Sequence, residues 1–416
     1  MTSSDTGSSN LGSRVVLFPL PAQGHINPMF QLANILHSIG YAISIVYTPH
    51  NAPDISRFPH FHFQLISDSN SQSDYPIFKP LDVVSSINQL NVHYAGPFKI
   101  CLARILSDHE SFGTVRCIVA DAIWHFTQAV ADELNIPRIV LRTSSVCSFL
   151  AFTALPLFRK IGYLANLEAR AEEAVQEFPP IKVKDIPTIG DGDQDSTIEL
   201  ISTVVTETKK SSGLIFNTFQ ELEPPDLNEL RRQFRMPVFA VGPFHKRFSA
   251  AETSLRKQDR SSIDWLDTQA PQSVLYVSFG SVATMDKTAF LEAAWGLANS
   301  GQPFLWVVRP GSINGAVAAP GSEMLPGEWA EEVSQRSCVV EWAPQQEVLA
   351  HPSVGGFWTH SGWNSTLESI CEGVPMMCAP CFGDQMVNAR WVSDVWRIGI
   401  NLERVFARRD VEEGVR

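Results

Sequence analysis

Residues 342–385 read WAPQQEVLAHPSVGGFWTHSGWNSTLESICEGVPMMCAPCFGDQ, and this stretch decides the fold of the chain. Its central residues, 360–365, follow the apolar run 354–359 and precede the amphipathic run 366–371. That order predicts a strand, a tight turn and the N-terminus of a helix. Because the first N–H groups of a helix are unpaired and lie at the positive end of the helix dipole, this turn is suited to bind a pyrophosphate group without a lysine.

A second α/β signal lies near the N-terminus. Residues 15–17 are apolar, residues 19–26 contain two prolines and a glycine, and Asn27 followed by Pro28 predicts a helix start. Apolar residues then recur on one helical face until Gly40, and the apolar run 42–47 predicts the next strand. This βαβ unit places the loop 19–26 at the carboxyl end of a strand, where open α/β sheets bind ligands.

Further apolar runs alternate with helical patterns, which predicts an α/β protein with parallel sheets. The other predicted strands are residues 117–120, 138–141, 214–217, 238–241, 274–279, 304–308, 339–341, 356–359 and 375–379. Residues 245–262 are polar and poor in large apolar side chains, so we assign them as a linker. The expected organisation is two Rossmann-like domains that face each other across a cleft. Its segments are a disordered arm at 1–13, an N-terminal domain at 14–244, the linker and a C-terminal domain at 263–416.

Composition and charge exclude several classes of protein. The 416 residues carry a formal net charge of −12 without a basic run, which argues against a nucleic-acid partner. The longest apolar stretch, 149–158, contains Thr153 and Pro156 and is shorter than the roughly 20 residues of a membrane span. No secretion signal is evident, and seven cysteines in such a chain indicate reduced thiols. We therefore expect a cytoplasmic protein, and we expect it to be a monomer.

Two short patterns raise the question of a metal. Cys378 and Cys381 form a CxxC pair, which is only half of a zinc site, so we favour two small half-buried side chains over a redox or metal centre. Asp191 and Asp193 superficially match a metal-binding dyad, but they lie in an acidic, glycine-bearing stretch that is typical of a solvated loop. No metal is expected.

Several motifs together carry a family resemblance. The stretch 342–385 resembles, over its whole length, the signature box of plant family 1 UDP-glycosyltransferases, and PLPAQGHINP at 19–28 is similar to their N-terminal motif. VADA around Asp121, LYVSFGS ending at Ser281 and WVVRP at 306–310 are also similar to the family. VKDI at 183–186, SVLYVS at 273–278 and VLAH at 348–351 most resemble the enzymes acting on steviol glycosides, benzoxazinoids and cytokinins. The resemblance implies a GT-B fold.

The resemblance implies that the C-terminal domain binds UDP-glucose as a co-substrate, without another cofactor. The implied donor-binding residues are Trp342, Ala343, Gln345, Glu368, Ser281, His360, Trp363, Asn364, Ser365, Asp384 and Gln385. Trp342 would stack on the uracil, Glu368 would accept hydrogen bonds from the ribose, and Gln385 favours glucose as the sugar. Core packing is the alternative role for the two tryptophans.

For catalysis, the resemblance implies that His25 is the general base and that Asp121 is its partner. Both residues follow predicted strands, so both lie at the ligand-binding edge of a sheet. An imidazole titrates near about pH 6.5, and a neighbouring carboxylate orients it and stabilises the imidazolium. Attack from the face opposite UDP would invert the anomeric carbon. A surface or structural histidine is the alternative.

The resemblance assigns the acceptor mainly to the N-terminal domain. Candidate acceptor-binding residues are Leu90, Trp124, Ser145, Phe149 and Phe382. Apolar walls suit a small hydrophobic acceptor with one reactive hydroxyl, although these residues are equally suited to an ordinary core. The sequence does not choose among a diterpenoid, a benzoxazinoid, a cytokinin and a flavonoid.

Two alternatives to glycosyl transfer remain at this point. The chain could be an enzyme that epimerises or hydrolyses its sugar nucleotide without an acceptor, or a catalytically silent protein that binds a sugar nucleotide with the same fold. Family members also continue for some tens of residues beyond the position of Arg416. We therefore expect that a C-terminal helix is missing from this sequence.

Overall fold

A computed structural model of the chain describes residues 12–50, 52–66, 82–108, 112–189, 194–248, 254–314, 325–402 and 406–416. Residues 1–11 of the expected arm, and both Asp191 and Asp193, lie outside the described residues. The strands are β1 (Ser13–Phe18), β2 (Ala42–Tyr47), β3 (His62–Leu65), β4 (Thr114–Asp121), β5 (Arg138–Arg142), β6 (Gly213–Phe216), β7 (Val238–Ala240), β8 (Val274–Ser278), β9 (Phe304–Val307), β10 (Ser337–Val340), β11 (Val354–Thr359), β12 (Met376–Cys378) and β13 (Gly399–Asn401).

The helices lie between these strands. They are α1 (Gln23–Ser38), α2 (Val83–Ser107), α3 (Thr127–Glu133), α4 (Val146–Thr153), α5 (Leu155–Ile161), α6 (Gln194–Lys209), α7 (Pro224–Gln233), α8 (Ser261–Leu266), α9 (Lys287–Ser300), α10 (Gly327–Val333), α11 (Gln345–Leu349), α12 (Trp363–Glu372), α13 (Gln385–Arg390) and α14 (Arg408–Val415). Short 3₁₀ turns occur as well, among them Val183–Asp185.

Two parallel sheets organise the described part of the chain. The first has the order β3-β2-β1-β4-β5-β6-β7, and the second has the order β10-β9-β8-β11-β12-β13. Every pair of neighbouring strands is parallel, as expected where helices connect successive strands. The predicted α/β class with two parallel-sheet domains is confirmed.

Each sheet is covered on both faces, as alternate residues of single strands show. In β1, Val16 and Phe18 pack into one apolar cluster, whereas Val15 and Leu17 pack into another. In β9, Phe304 and Trp306 likewise belong to a different cluster from Leu305 and Val307. Because both faces are buried, the strands consist of continuous apolar runs, and this is why they could be located in the sequence.

The described residues form two compact units. The first unit consists of the described residues within Met1–Val146 and Asp191–Leu255. The second unit consists of the described residues within Cys147–Gly190 and Arg256–Arg416. The sequence predicted that residues 147–190 belong to the N-terminal domain. In the structure, Ser148 Oγ donates to Asn388 Oδ1 at 2.9 Å, and Asp185 pairs with Arg390 at 2.8 Å, so polar contacts attach this segment to the second unit. The proposed boundaries and the cleft between the domains stay predictions.

The expected start of α1 was wrong. We expected Asn27 to cap the helix, but α1 begins at Gln23 and contains Pro28. The N–H groups of His25 and Ile26 both donate to the Ala22 carbonyl at 2.9 Å, which closes the first turn before the proline. A proline at this position removes one hydrogen bond without stopping the helix. His25 therefore lies in the first turn of a helix and not in a loop.

Candidate active site

The first candidate site lies at the carboxyl end of the first sheet, where the strand order reverses. The chain runs from β1 through β2 to β3 on one side, and it resumes with β4 on the other side of β1. Open α/β sheets bind ligands at such a switch point. Asp121 is the last residue of β4, and His25 lies in the helix that follows β1, so the topology brings both to this point.

His25 and Asp121 are in direct contact. His25 Nδ1 lies 2.7 Å from Asp121 Oδ2, and the exposed fractions of the two side chains are 28% and 1%. The other carboxylate oxygen accepts the N–H of Ile123 at 3.0 Å, which holds the carboxylate in place. When Nδ1–H donates to Asp121, Nε2 is the unprotonated nitrogen. No described residue forms a hydrogen bond with Nε2, so this atom can accept a proton.

Thr143 also belongs to this site, and sequence reasoning missed it. Its Oγ1 lies 3.1 Å from His25 Nδ1. Thr143 follows β5, which pairs with β4 so that Leu141 lies beside Asp121. A polar residue directly after a buried strand was the available signal, because the carboxyl ends of neighbouring parallel strands meet at one edge.

The second candidate site lies at the equivalent switch point of the second sheet. Here β8 and β11 are neighbours, with β9 and β10 on one side and β12 and β13 on the other. Gly280 and Ser281 follow β8, and His360 follows β11. The two turns singled out in the sequence therefore meet at the same edge of one sheet.

Strand β11, a tight turn and helix α12 follow one another in the order that the sequence indicated. Ser361 adopts a left-handed conformation with φ of 63°, and Gly362 precedes α12 in an extended conformation. Asn364 and Ser365 lie in the first turn of α12, where backbone N–H groups are oriented toward the helix N-terminus. Trp363 is buried, and its ring centroid lies 6.3 Å from that of Trp396.

His360 is enclosed by two glycines. A Cβ atom on either Gly280 or Gly362 would lie 2.5 Å from His360 Nε2, so neither position has room for a side chain. Burial, and secondarily the positive charge of Arg309, lowers the pKa of His360 to about 4, although the backbone of Ser278 opposes this shift. The ring is neutral near pH 7, so one of its nitrogens can donate a hydrogen bond and the other can accept one.

Glu368 lies at the centre of a hydrogen-bonded group. Gln345 Nε2 donates to Glu368 at 2.7 Å and to Ser365 Oγ at 2.9 Å, and Gln346 Nε2 donates to the other carboxylate oxygen at 2.8 Å. Burial raises the pKa of Glu368, and the two amide hydrogen bonds oppose that shift. Gln346 was not predicted, although it is the direct neighbour of Gln345 in the same motif.

Trp342 and Ala343 lie just before α11. Ala343 is 4% exposed, and Trp342 is partly buried. The Trp342 carbonyl accepts the N–H of Asp259 at 2.7 Å. The guanidinium of Arg256 lies 5.6 Å from the centroid of the indole ring, so this aromatic face already attracts a planar cation.

Asp384 and Gln385 lie at the start of α13. Asn388 Nδ2 donates to the Ser361 carbonyl at 2.9 Å and to Asp384 Oδ2 at 3.2 Å, which links the turn after β11 to Asp384. Gln385 Oε1 accepts the N–H groups of Cys381 at 2.8 Å and Phe382 at 3.2 Å. The structure thus brings the predicted donor-binding residues of the second unit to the carboxyl edge of its sheet.

Comparisons with known proteins cover almost the whole chain. A family model described as UDP-glucoronosyl and UDP-glucosyl transferase matches residues 249–416. UDP-glycosyltransferase 76B1 of Arabidopsis thaliana is 46% identical over 403 residues, which are 97% of this chain and 88% of that protein. The DIMBOA UDP-glucosyltransferase BX9 of Zea mays is 43% identical over 97% of this chain and 86% of its own length. The chain belongs to the plant family 1 UDP-glycosyltransferases.

A solved structure supports the same assignment. Phytolacca americana UGT2, complexed with UDP-2fluoro-glucose and pterostilbene, matches with a TM-score of 0.81 and 26% identity over 97% of this chain and 89% of that one. Together with the two parallel sheets, this similarity establishes the GT-B fold of the glycosyltransferase. The enzyme uses a UDP-sugar as donor and a small molecule as partner.

The predicted acceptor residues of this glycosyltransferase are mostly buried. Leu90 and Trp124 belong to the core of the first unit, where the indole stacks on Phe18 at 4.8 Å and donates its N–H to the Pro19 carbonyl at 3.0 Å. Ser145 and Phe149 are also buried, and Phe382 is partly buried. These contacts favour the core alternative for Leu90 and Trp124. Their place in an acceptor pocket stays a prediction.

The CxxC pair packs as two unlinked thiols. Burial raises the pKa of Cys378 to about 12, which makes it a poor thiolate. Cys381 is partly buried and forms no disulfide bond. Within the described ranges, no group of three or more histidine, cysteine, aspartate or glutamate side chains could hold a metal ion. Those ranges also contain no helix with the length and apolar character that crossing a membrane requires.

Proposed function

We propose that the enzyme transfers glucose from UDP-glucose to a hydroxyl group of a small hydrophobic plant metabolite, with inversion of the anomeric carbon. The observation that carries this proposal is the 2.7 Å contact between His25 Nδ1 and the buried carboxylate of Asp121. It gives the histidine a fixed orientation and an unprotonated Nε2 at the switch point of a sheet. A merely structural histidine would not need a buried carboxylate at this edge.

In the proposed reaction, His25 Nε2 takes the proton of the acceptor hydroxyl. The acceptor oxygen attacks the anomeric carbon, a new C–O bond forms, and the bond between that carbon and UDP breaks. Asp121 stabilises the imidazolium, which then loses its proton to solvent. General-base catalysis of this kind is typically worth about 10²–10⁴-fold in rate.

The proposed donor contacts follow from the second site. Uracil would stack on Trp342, ribose hydroxyls would donate to Glu368, and the amides at the start of α12 would bind the diphosphate. The neutral ring of His360 would donate a hydrogen bond to the leaving group. Because Gln385 Oε1 already accepts two backbone N–H groups, its Nε2 would donate to a glucose hydroxyl.

The acceptor class is supported by the relatives. DIMBOA appears in the name of the maize relative, and the Phytolacca americana enzyme was solved with pterostilbene. Both names specify a small molecule. We propose the same class for this chain without choosing among the four acceptor types. We also propose that the enzyme works without a metal, as a cytoplasmic monomer.

The test is incubation of the chain with UDP-glucose and a panel of hydroxylated plant metabolites, followed by mass spectrometry. We expect a gain of one hexose on at least one compound, and loss of that product in H25A. UDP release that does not depend on any acceptor would instead favour an enzyme that hydrolyses its donor, and conversion of UDP-glucose into an isomeric UDP-sugar without UDP release would favour an epimerase. A product yield in H25A equal to that of the wild type would contradict His25 as the base.

A further inference from the structure

Arg309 is a buried cation for which the described residues provide no carboxylate. It follows β9 in the motif WVVRP and is 7% exposed. Its Nε donates to the carbonyl of Gly280 at 3.2 Å, and its Nη2 donates to the carbonyl of Ala283. Both acceptors are neutral. A buried charge is normally paired with an opposite charge, so Arg309 requires an explanation.

Two other buried arginines, Arg390 and Arg138, lie close to carboxylates. Arg390 pairs with Asp185 at 2.8 Å. Arg138 is fully buried, and the nearby charges of Glu207, Asp121 and Asp132 all favour its charged form. No aspartate or glutamate has this effect on Arg309.

The charged neighbour with the largest effect on Arg309 is a second arginine. Burial, and secondarily the charge of Arg256, lowers the pKa of Arg309 to about 10, and Arg309 in turn lowers the pKa of His360. Gly280 connects the two groups, because its carbonyl accepts from Arg309 while its Cα faces the His360 ring. Positive charge is therefore concentrated beside the turn that contains Gly280 and Ser281. Such a concentration is suited to an anion.

We propose that Arg309 is a further donor-site residue, whose buried charge stabilises the diphosphate of the UDP-sugar while its hydrogen bonds position the turn 280–283. This inference rests on the proposed function, because it requires a UDP-sugar at the switch point of the second sheet. Arg309 acts on the diphosphate through its charge and through the position of Ser281. It is therefore a positioning residue and not a catalytic one.

The test compares a charged with an uncharged ligand. Calorimetric titration of the full chain with UDP and with uridine gives both dissociation constants for the wild type and for R309Q. We expect R309Q to weaken UDP binding by at least about tenfold, as for the loss of an interaction with a charged group, and to change uridine binding by less than about twofold. The ratio of the two dissociation constants therefore measures the contribution of the diphosphate group alone.

Arg336 provides a matched control. It also lies in the second unit and donates to backbone carbonyls, with a distance of 2.6 Å to Ala298 O, but it has Glu332 as an ionic partner at 3.7 Å. We expect R336Q to leave both dissociation constants unchanged. R309K retains the charge, so its UDP-to-uridine ratio should stay within about threefold of the wild type. This variant decides the question if R309Q does not fold.

Several outcomes would overturn the inference. Equal weakening of UDP binding and uridine binding in R309Q would show that Arg309 only stabilises the local structure. A UDP-to-uridine ratio in R309K that is changed as much as in R309Q would show that the charge is not what matters. An unchanged ratio in R309Q would exclude any role toward the diphosphate. Failure of the wild type to bind UDP would overturn the proposed function and this inference together, whereas UDP binding by the wild type with an unchanged ratio in R309Q would overturn this inference alone.

Discussion

Among single residues, His25 carries the proposed chemistry of this glycosyltransferase, and its two ring nitrogens would have different roles. Asp121 and Thr143 both approach Nδ1 of His25, at 2.7 and 3.1 Å. Only Asp121 carries a charge that can stabilise an imidazolium. The two neighbours therefore make unequal contributions, and mutation can separate them.

We predict that D121N lowers kcat by about 10²–10⁴-fold, because the amide neither stabilises the imidazolium nor enforces the tautomer. T143V removes one neutral hydrogen bond to the same nitrogen and should lower kcat by less than about tenfold. Steady-state kinetics with an acceptor identified by mass spectrometry measure both values. Equal losses in the two variants would show that the carboxylate has no special role.

Two glycines with similar backbone conformations provide a matched pair for the donor site. Gly280 and Gly301 have φ of 71° and 73°, but a Cβ on Gly280 would meet His360, whereas a Cβ on Gly301 would meet nothing within 4 Å. We predict that both G280A and G301A lose about 1 kcal/mol of stability from backbone strain. Only G280A should weaken UDP binding.

Thermal denaturation and UDP titration of both variants measure these effects. Comparing the two variants cancels the stability lost through backbone strain, since this loss is common to the two glycines. UDP affinity in G280A equal to that in G301A would mean that the His360 ring can move without affecting the donor site.

At the scale of elements, the second unit includes a segment that lies far from it in the sequence. The 3₁₀ turn Val183–Asp185 is joined to α13 by the buried pair of Asp185 and Arg390. Buried pairs add little net stability, but removing one partner leaves the other charge uncompensated. Asp394 also contacts Arg390, at 3.2 Å, but it is largely exposed.

We predict that D185N destabilises the protein by about 3 kcal/mol, because it leaves the buried guanidinium with only an exposed partner. The control is E413Q, which breaks the exposed pair of Arg409 and Glu413 and should change stability by less than about 0.5 kcal/mol. Urea denaturation gives both values. A D185N protein as stable as E413Q would show that the segment is held by packing alone.

At the scale of the whole molecule, His360 should make stability depend on pH. Its pKa is lowered from 6.5 to about 4 in the folded chain, so between these values the unfolded chain binds more protons. The contribution is complete above about pH 6.5, and it is lost as pH falls toward about 4. At about 1.4 kcal/mol per pKa unit, the loss amounts to about 3 kcal/mol.

We predict that the difference in unfolding free energy between the wild type and H360N decreases by about this amount from pH 7 to pH 4. Urea denaturation across this range isolates His360, because all other titrating groups are shared by the two proteins. Parallel stability curves would show that the ring is accessible to protons in the folded state.

The fold was predictable from local pattern, because both faces of each sheet are buried and the strands are continuous apolar runs. The strand at residues 42–47 was located with its observed bounds, and the turn before α12 was expected from glycine and polar residues that follow a strand. Edge strands β3 and β13 were missed. Both are short and only partly buried, so their sequences show little of the apolar pattern.

Local periodicity and contiguous motifs were enough to predict the two α/β units and the glycosyltransferase family, whereas the assignment of the donor-site residues stays a prediction. The three-dimensional structure was needed to show that Thr143 approaches His25, that Gln346 holds Glu368, that residues 147–189 pack with the second unit and that Arg309 is buried without a carboxylate among the described residues. These features are contacts between residues far apart in the chain or depend on burial. The sequence pattern records which residues are apolar or polar, but it does not record which of them meet.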